Sequence, residues 1–525
     1  MKKKLSCMLS LSLAAVMVCG CGADRKKEPL MKDSVIISVG TYMTGGGYDP
    51  TAGYGQWGPD IFHSSLLRLN DKNEVVNDLV TDYQVSSDGL TYKFFLRKDV
   101  KFADGQPLTA KDVVFTYEKA RNGGSTVDLT MLDSVTAPDD YTVVFNLKKP
   151  WSVFIDNTVA VGIVPQHAYK DGYANHPIGS GPWKVTQFQK EQQLILEPNE
   201  YYYGTKPHLK KVTILKMDED AALAAAKSGK LDLVYVNADF AKNKVDGMRL
   251  ETVNTVSGFA VNLPTVPETA GADGKTVGNN VTCDPAVRQA LNIGIDRAAI
   301  VKNALNGFGV PAYNLSPALP WASDFGEIDN QVEKAKELLE AAGWKDTDGD
   351  GIREKNGQKA EILMRGRAND LQRYNIIVAL AQEAKKLGID ITAKAAPWSE
   401  ARVARQIPTC WDLGYFNPLL IYQNFYSGSI GVNVIGNSAS YSNSSVDGHI
   451  EAALRSVSLA DAVKNWQLSQ WDGQAGTKAD VPYLWIANPQ NTYFVKEGLD
   501  IGKQKVNVRG QGMSIVYNMN EWQWK

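Results

Sequence analysis

Cysteine is scarce in this chain of 525 residues. There are five, and Cys7, Cys19 and Cys21 all fall at the extreme N-terminus. Cys283 and Cys410 are left for the body, far apart in sequence. That excludes a disulfide-stapled scaffold; one bridge in an oxidising exterior and two free thiols both fit the sequence. Histidine is equally sparse: His63, His167, His176, His208 and His449. None stands at a spacing from cysteine or carboxylate that suggests a metal centre or catalytic dyad. No Gly-x-Ser-x-Gly, His-Glu-x-x-His or P-loop is present, so the chain does not read as an enzyme. A surface hydrolase is the alternative from that class, and a panel of peptides and esters would expose it. There is no basic run and no aromatic–basic interleaving, which argues against a nucleic-acid partner. Internal repeats and low-complexity segments are missing too. Beyond the N-terminus no apolar run reaches membrane-spanning length.

The N-terminus is built differently from the rest. Lys2, Lys3 and Lys4 precede an apolar stretch from Leu5 to Val18. A membrane-spanning helix needs about 20 apolar residues, and this run is shorter, as in a secretory leader. Val18-Cys19-Gly20-Cys21 resembles a bacterial lipobox, with Cys21 as the lipidated first residue of the mature protein. Stable membrane retention then needs more than one acyl chain on Cys21. Residues 21–32 are polar and charged, as a tether would be. The leader takes three lysines and no acid with it, so the mature chain is more acidic than the full-length net charge of −2.

Mixed α and β elements follow. Val35–Val39 reads as a first strand. Asp60–Leu69 is expected to be a helix, with Phe62, Ser65, Leu66 and Leu69 at helical spacing. Tyr92, Phe94 and Leu96 alternate with Thr91, Lys93 and Phe95, the pattern of a half-buried strand, and Val100–Phe102 reads as a second. Thr109 with Asp112 three residues on forms a capping box that opens a helix through Arg121. Strands are expected at Asp140–Leu147, Lys184–Phe188, Leu194–Pro198 and Leu231–Val236, and a helix after Asp218. The second half is richer in helices. Asp284-Pro285 and Asp296 open two of them, and Gly343 and Gly388 close two more at Val332–Ala342 and Leu371–Leu387.

The run from Asp88 to Asp112, DGLTYKFFLRKDVKFADGQPLTAKD, is similar to the signature of the family 5 extracellular solute-binding proteins. These are the capture components of ABC importers for peptides and nickel. Ile178-Gly179-Ser180-Gly181-Pro182-Trp183, VRQALNIGIDR, ELLEAAGWKDTDGDGIRE and KLGIDI resemble the same family, so the likeness spans nearly the whole mature chain. It implies an α/β, two-lobe periplasmic-binding-protein-like fold of the class II type, with an extra inserted domain. The first lobe would combine 33–67, 180–284 and 488–525, with 68–179 inserted, and the second lobe would be 285–487. The chain would cross between lobes near Cys283–Asp284 and Asn488–Pro489. The implied function is that of a monomeric, lipid-anchored binding protein. It would capture a peptide or peptide-like solute by lobe closure and deliver it to a permease and ATPase, without a cofactor. A nickel chelate is the runner-up ligand; adhesion or signalling comes third.

The expected ligand-facing residues are Tyr54, Trp57, Arg367, Trp398, Trp411, Tyr415, Asn417, Tyr422 and Arg509, with Arg365 as a further carboxylate-binding candidate. Two departures qualify the likeness. Relatives in the nickel branch carry histidines where this chain has Asn507-Val508-Arg509-Gly510-Gln511, and Arg509 would repel a bare cation. Peptide-binding relatives place an aspartate just before the proline of this segment, where it holds the ligand's ammonium. Gly414-Tyr415-Phe416-Asn417 offers no carboxylate, and a charge-assisted bond worth roughly 1.5–3 kcal/mol is missing. Asp412 is the nearest substitute. Asp346-Thr347-Asp348-Gly349-Asp350-Gly351 looks like half a calcium loop, but Gly357 stands where a bidentate glutamate belongs, so a tight surface turn is expected.

Overall fold

Alternation of apolar side chains decides the first large element. In the strand Thr91–Leu96, Tyr92, Phe94 and Leu96 are buried while Lys93 faces solvent. It pairs antiparallel with Val80–Val85 on one side and Thr142–Leu147 on the other, and Leu132–Asp139 completes a four-stranded sheet. The helix Ala110–Asn122 packs on it. Its opening is the expected capping box: the Asp112 carboxylate accepts from the Thr109 N–H at 2.9 Å and the Thr109 hydroxyl at 3.1 Å. The computed structural model describes residues 32–40, 47–55, 60–271, 274–368, 370–401, 405–432, 436–507 and 513–525. Asp33–Lys525 forms one compact unit.

A seven-stranded sheet gathers strands from both ends of the chain. Its order is Met248–Val253, Asn491–Lys496, Leu233–Val236, Ser34–Ser38, Lys211–Leu215, Gln193–Pro198, Trp183–Gln189. Ser34–Ser38 runs parallel to both of its neighbours, with Ile37 in register with Ile214 and Leu233. The strand is flanked on both sides, but its faces differ: Val35 and Ile37 are buried while Ile36 is exposed.

A second four-stranded sheet, early sheet aside, lies late in the chain: Gly309–Pro311, Tyr483–Pro489, Gly258–Asn262 and Cys410–Leu413. Helices Pro285–Gly294, Arg297–Ala304, Val332–Ala341 and Leu371–Lys385 surround one of its faces. The expected N-caps are in place: Asp284 accepts from the Ala286 N–H at 2.9 Å and Asp296 from the Ala299 N–H at 2.8 Å. Arg297 is wholly buried, and its guanidinium reaches Asp329 at 2.7 Å and the Trp485 carbonyl at 2.8 Å. No helix among the described residues is long and apolar enough to cross a membrane.

Two expectations fail. Asp60–Leu69 is not a helix. Asp60 caps the Phe62 and His63 N–H groups as a helix start would, but the chain then extends, and Leu67–Leu69 pairs with Val75–Asn77. Phe62, Leu66 and Leu67 are all buried there, so the apolar residues serve a packed turn instead of a helical stripe. Val100–Phe102 makes only a single bridge, Lys101 to Pro107. The chain passes from one sheet to the other between 253 and 258: Met248–Val253 belongs to the seven-stranded sheet, while Gly258–Asn262 already pairs in the late one.

One buried acid stands apart. Asp156, in the helix Phe154–Ala160, is only 7% exposed and lies near Tyr83 and Tyr92. Burial pushes its carboxyl up to about 8.

Candidate functional site

A cavity of about 500 Å³ opens where several segments meet. Gly55, Asp60 and His63 form one side, Tyr415 and Phe416 another, and Asn507 belongs to its lining as well. The loop at Asp60 is held rigid by its own side chain. Asp60 accepts two backbone N–H bonds at 2.9 Å, and His63 Nδ1 sits 2.9 Å from its second oxygen. His63 Nε2 lies 2.8 Å from the Tyr173 hydroxyl, which donates to the Ile178 carbonyl at 2.7 Å. This corrects the sequence reading of the histidines: Asp60-x-x-His63 was the available signal. His167 and His449 likewise meet carboxylates, Asp104 at 2.7 Å and Asp472 at 3.4 Å. Both ring nitrogens of His63 have partners, so the ring braces the wall.

The expected ligand residues separate into groups. Trp398, 37% exposed, stands edge-on to Trp411 with ring centres 5.8 Å apart, and the Arg367 guanidinium lies 5.0 Å over the Trp398 ring. These three come together. Trp411 is the buried member, its Nε1–H donating to Asn262 Oδ1 at 3.0 Å. Arg365 is engaged by Glu400 at 2.9 Å. Tyr415 lines the cavity, with its ring 4.7 Å from Phe416. Tyr54 packs into an aromatic group with Tyr48 and Phe62. Tyr422 points elsewhere, edge-on to Trp151 at 5.7 Å and stacked on Tyr426. Asn417 is 4% exposed and uses its Oδ1 to accept from the Leu419 N–H at 2.8 Å, starting the helix Leu419–Phe425. Trp57, Arg509 and Cys21 lie outside the described residues.

Position 414 has a steric reason for its residue. A Cβ built on Gly414 would fall 2.3 Å from Ser257 Cα and 2.7 Å from Ser257 N. No side chain fits there without moving backbone. Asp412, two residues earlier in the strand, keeps a buried Oδ1 with no partner among the described residues. Its neighbour Arg373 is paired with Asp370 at 2.7 Å.

Cys283 and Cys410 are unpaired, and burial pushes the Cys410 thiol up. At the aspartate-rich loop, Asp346 accepts from the Gly349 and Gly351 N–H groups at 2.7 and 3.0 Å, as a tight turn requires. Asp346, Asp348 and Glu354 bring oxygens within 4.8 Å of one another. Lys359 pairs with both Asp348 and Asp350, so a lysine already supplies the positive charge.

Residues 74–433 match the family described as bacterial extracellular solute-binding proteins, family 5. The oligopeptide-binding protein AppA of Bacillus subtilis is 28% identical over 99% of each chain. Its solved structure, in complex with a nonapeptide, superposes with a TM-score of 0.66 at 25% identity, covering 95% of this chain and 100% of that one. Protein XP55 of Streptomyces lividans is 31% identical over 89% of this chain and 86% of its own. NikZ of Campylobacter jejuni, solved with Ni(L-His), shares the fold, with a TM-score of 0.72 at 24% identity over 94% and 99% of the two chains. The α/β architecture is thus the two-lobe binding-protein fold, in a family of extracytoplasmic solute binders and not of enzymes. This chain belongs to the bacterial extracellular solute-binding proteins of family 5.

Proposed function

We propose that this chain is the substrate-binding component of an ABC importer, capturing oligopeptides or peptide-like solutes by closing its two lobes. The observation that carries this is the 28% identity to an oligopeptide-binding protein over 99% of both chains. A cavity of about 500 Å³ whose lining is both aromatic (Tyr203, Tyr415) and cationic (Arg68, Arg97, Lys505) supports it. One lobe would hold the seven-stranded and early four-stranded sheets and the other the late sheet, with crossings near 254–257 and 489–491. Trp398 and Tyr415 would cover apolar bulk, and Arg367 and Arg509 would favour an anionic group such as a carboxylate. Closure would follow from tighter binding to the closed state than to the open one. Nickel carried as an anionic chelate is the second reading, because NikZ shares the fold. His63 gives it little support, since both of its nitrogens are occupied.

Thermal shift on the ligand-stripped mature protein separates the two. At about 100 times its dissociation constant a true ligand adds about 2.7 kcal/mol of stability. Peptides should raise the melting temperature, and free nickel should not. A rise with nickel–histidine alone would defeat the peptide reading. Anchoring through lipid on Cys21 is checked separately: Cys21→Ser should release the protein from the membrane fraction, and retention of that variant would refute the anchor.

A further inference from the structure

Residues 151–152, just after the early-sheet strand Thr142–Leu147, meet the late half of the chain at residues that lie outside the proposed crossings. Ser152 donates its backbone N–H to the Leu454 carbonyl and its hydroxyl to the Ala453 carbonyl, both at 2.8 Å. Those carbonyls end the helix Ser444–Arg455. The last four carbonyls of a helix have no partner within it, so Ser152 caps this helix from another part of the fold. Trp151 is 5% exposed and meets Tyr422 edge-on. Tyr422 stacks on Tyr426, whose hydroxyl reaches Glu451 on the same helix at 2.9 Å. The turn at Gly89 closes the patch: a Cβ there would lie 3.3 Å from Val457 Cγ1. Trp151, Tyr441 and Trp466 belong to one buried apolar cluster with Tyr92 and Phe94 of the early sheet.

None of these residues belongs to the cavity lining or to the Trp398 group. At the crossings themselves the strands are tied by other bonds, Thr255 to the Pro489 carbonyl at 2.7 Å and Gln490 to Asn254 at 2.8 Å. A contact that joins two lobes away from their connecting strands exists only while the lobes are together. Opening would hydrate the Trp151 indole and leave the Leu454 carbonyl to water.

We infer that the Trp151–Ser152 corner is a latch: it holds the lobes closed by capping Ser444–Arg455 and burying Trp151 on Tyr422, and so sets ligand residence without touching ligand. This rests on the lobe-closure reading above. Residues Trp151, Ser152 and Tyr422 are therefore positioning residues.

The test uses the full mature chain, ligand-stripped, as wild type, Trp151→Ala, Ser152→Ala and Tyr422→Ala. Small-angle scattering without ligand should show a larger radius of gyration for each variant than for wild type. With a pool of tri- to nonapeptides as probe, Trp151→Ala should release peptide about tenfold faster, the loss of a buried aromatic anchor. Ser152→Ala should do so about threefold, and carries the test if Trp151→Ala does not fold. The Trp151→Ala/Tyr422→Ala double variant should lose less than the sum of the singles. Unchanged scattering and unchanged release in Ser152→Ala and Tyr422→Ala would overturn the latch. If wild type binds no peptide, the ligand assignment falls, while the scattering comparison still decides the latch.

Discussion

Replacing Gly414 by aspartate should destabilise the protein by on the order of 4 kcal/mol and add no affinity for an ammonium group. The conflict begins at the first side-chain atom, since a Cβ would lie 2.3 Å from Ser257 Cα. Ser257 cannot yield easily. It is fully buried, its carbonyl accepts from Asn488 at 2.7 Å, and the adjoining strand Gly258–Asn262 pairs on both sides. Overpacking a well-filled site costs typically 1–3 kcal/mol, and confining a carboxylate in the same space adds to that. Gly414→Ala should therefore show most of the loss, because its Cβ is the offending atom. Urea unfolding of the two variants checks this. An aspartate variant within about 0.5 kcal/mol of wild type would mean that the strand can move aside to admit a side chain at this position.

Asp156→Asn should stabilise the protein at alkaline pH. The native carboxyl titrates near 8 because burial disfavours its charge, whereas an unfolded aspartate titrates near 4. The folded state thus holds a proton that the unfolded state has released over that interval. Its contribution is complete below about pH 4 and is lost as pH rises to about 8. Asparagine keeps the shape and removes the titration. The variant should gain on the order of 5 kcal/mol at pH 9, and little near pH 4, in denaturant melts across that range. A wild-type stability that is flat between pH 5 and 9 would show that the carboxyl finds water on ionising.

Much of the fold was legible because its signals are local. Tyr92, Phe94 and Leu96 alternate, Thr109 and Asp112 cap, and Asp284 and Asp296 start helices, all within a few residues of one another. Asp60 misled for the same reason: its side chain makes the bonds of a helix start, and only contacts with distant chain reveal the packed turn. Gly179 shows how tight that packing is, with a built Cβ 1.9 Å from the Phe62 carbonyl oxygen. The site was harder. Trp398 and Trp411 look alike in sequence, yet one is exposed and the other is buried against Asn262, which lies 149 residues away. Asn417 read as a ligand contact because capping leaves no mark of its own in so irregular a segment. The Ser152 bonds join residues 301 apart in the chain and had no sequence trace.

The seven-stranded sheet also dictates when this protein can finish folding. Asn491–Lys496 slots between Met248–Val253 and Leu233–Val236, which have no other way to join. Until that near-terminal segment has emerged, Leu233–Val236 presents an open, apolar edge, and Met248–Val253 has no partner in the sheet. The part of the molecule that begins at residue 34 is therefore completed last, during a long window in which an unpaired edge invites aggregation. Nascent chains stopped short of residue 491 should remain targets for holding chaperones, whatever order their later helices have reached.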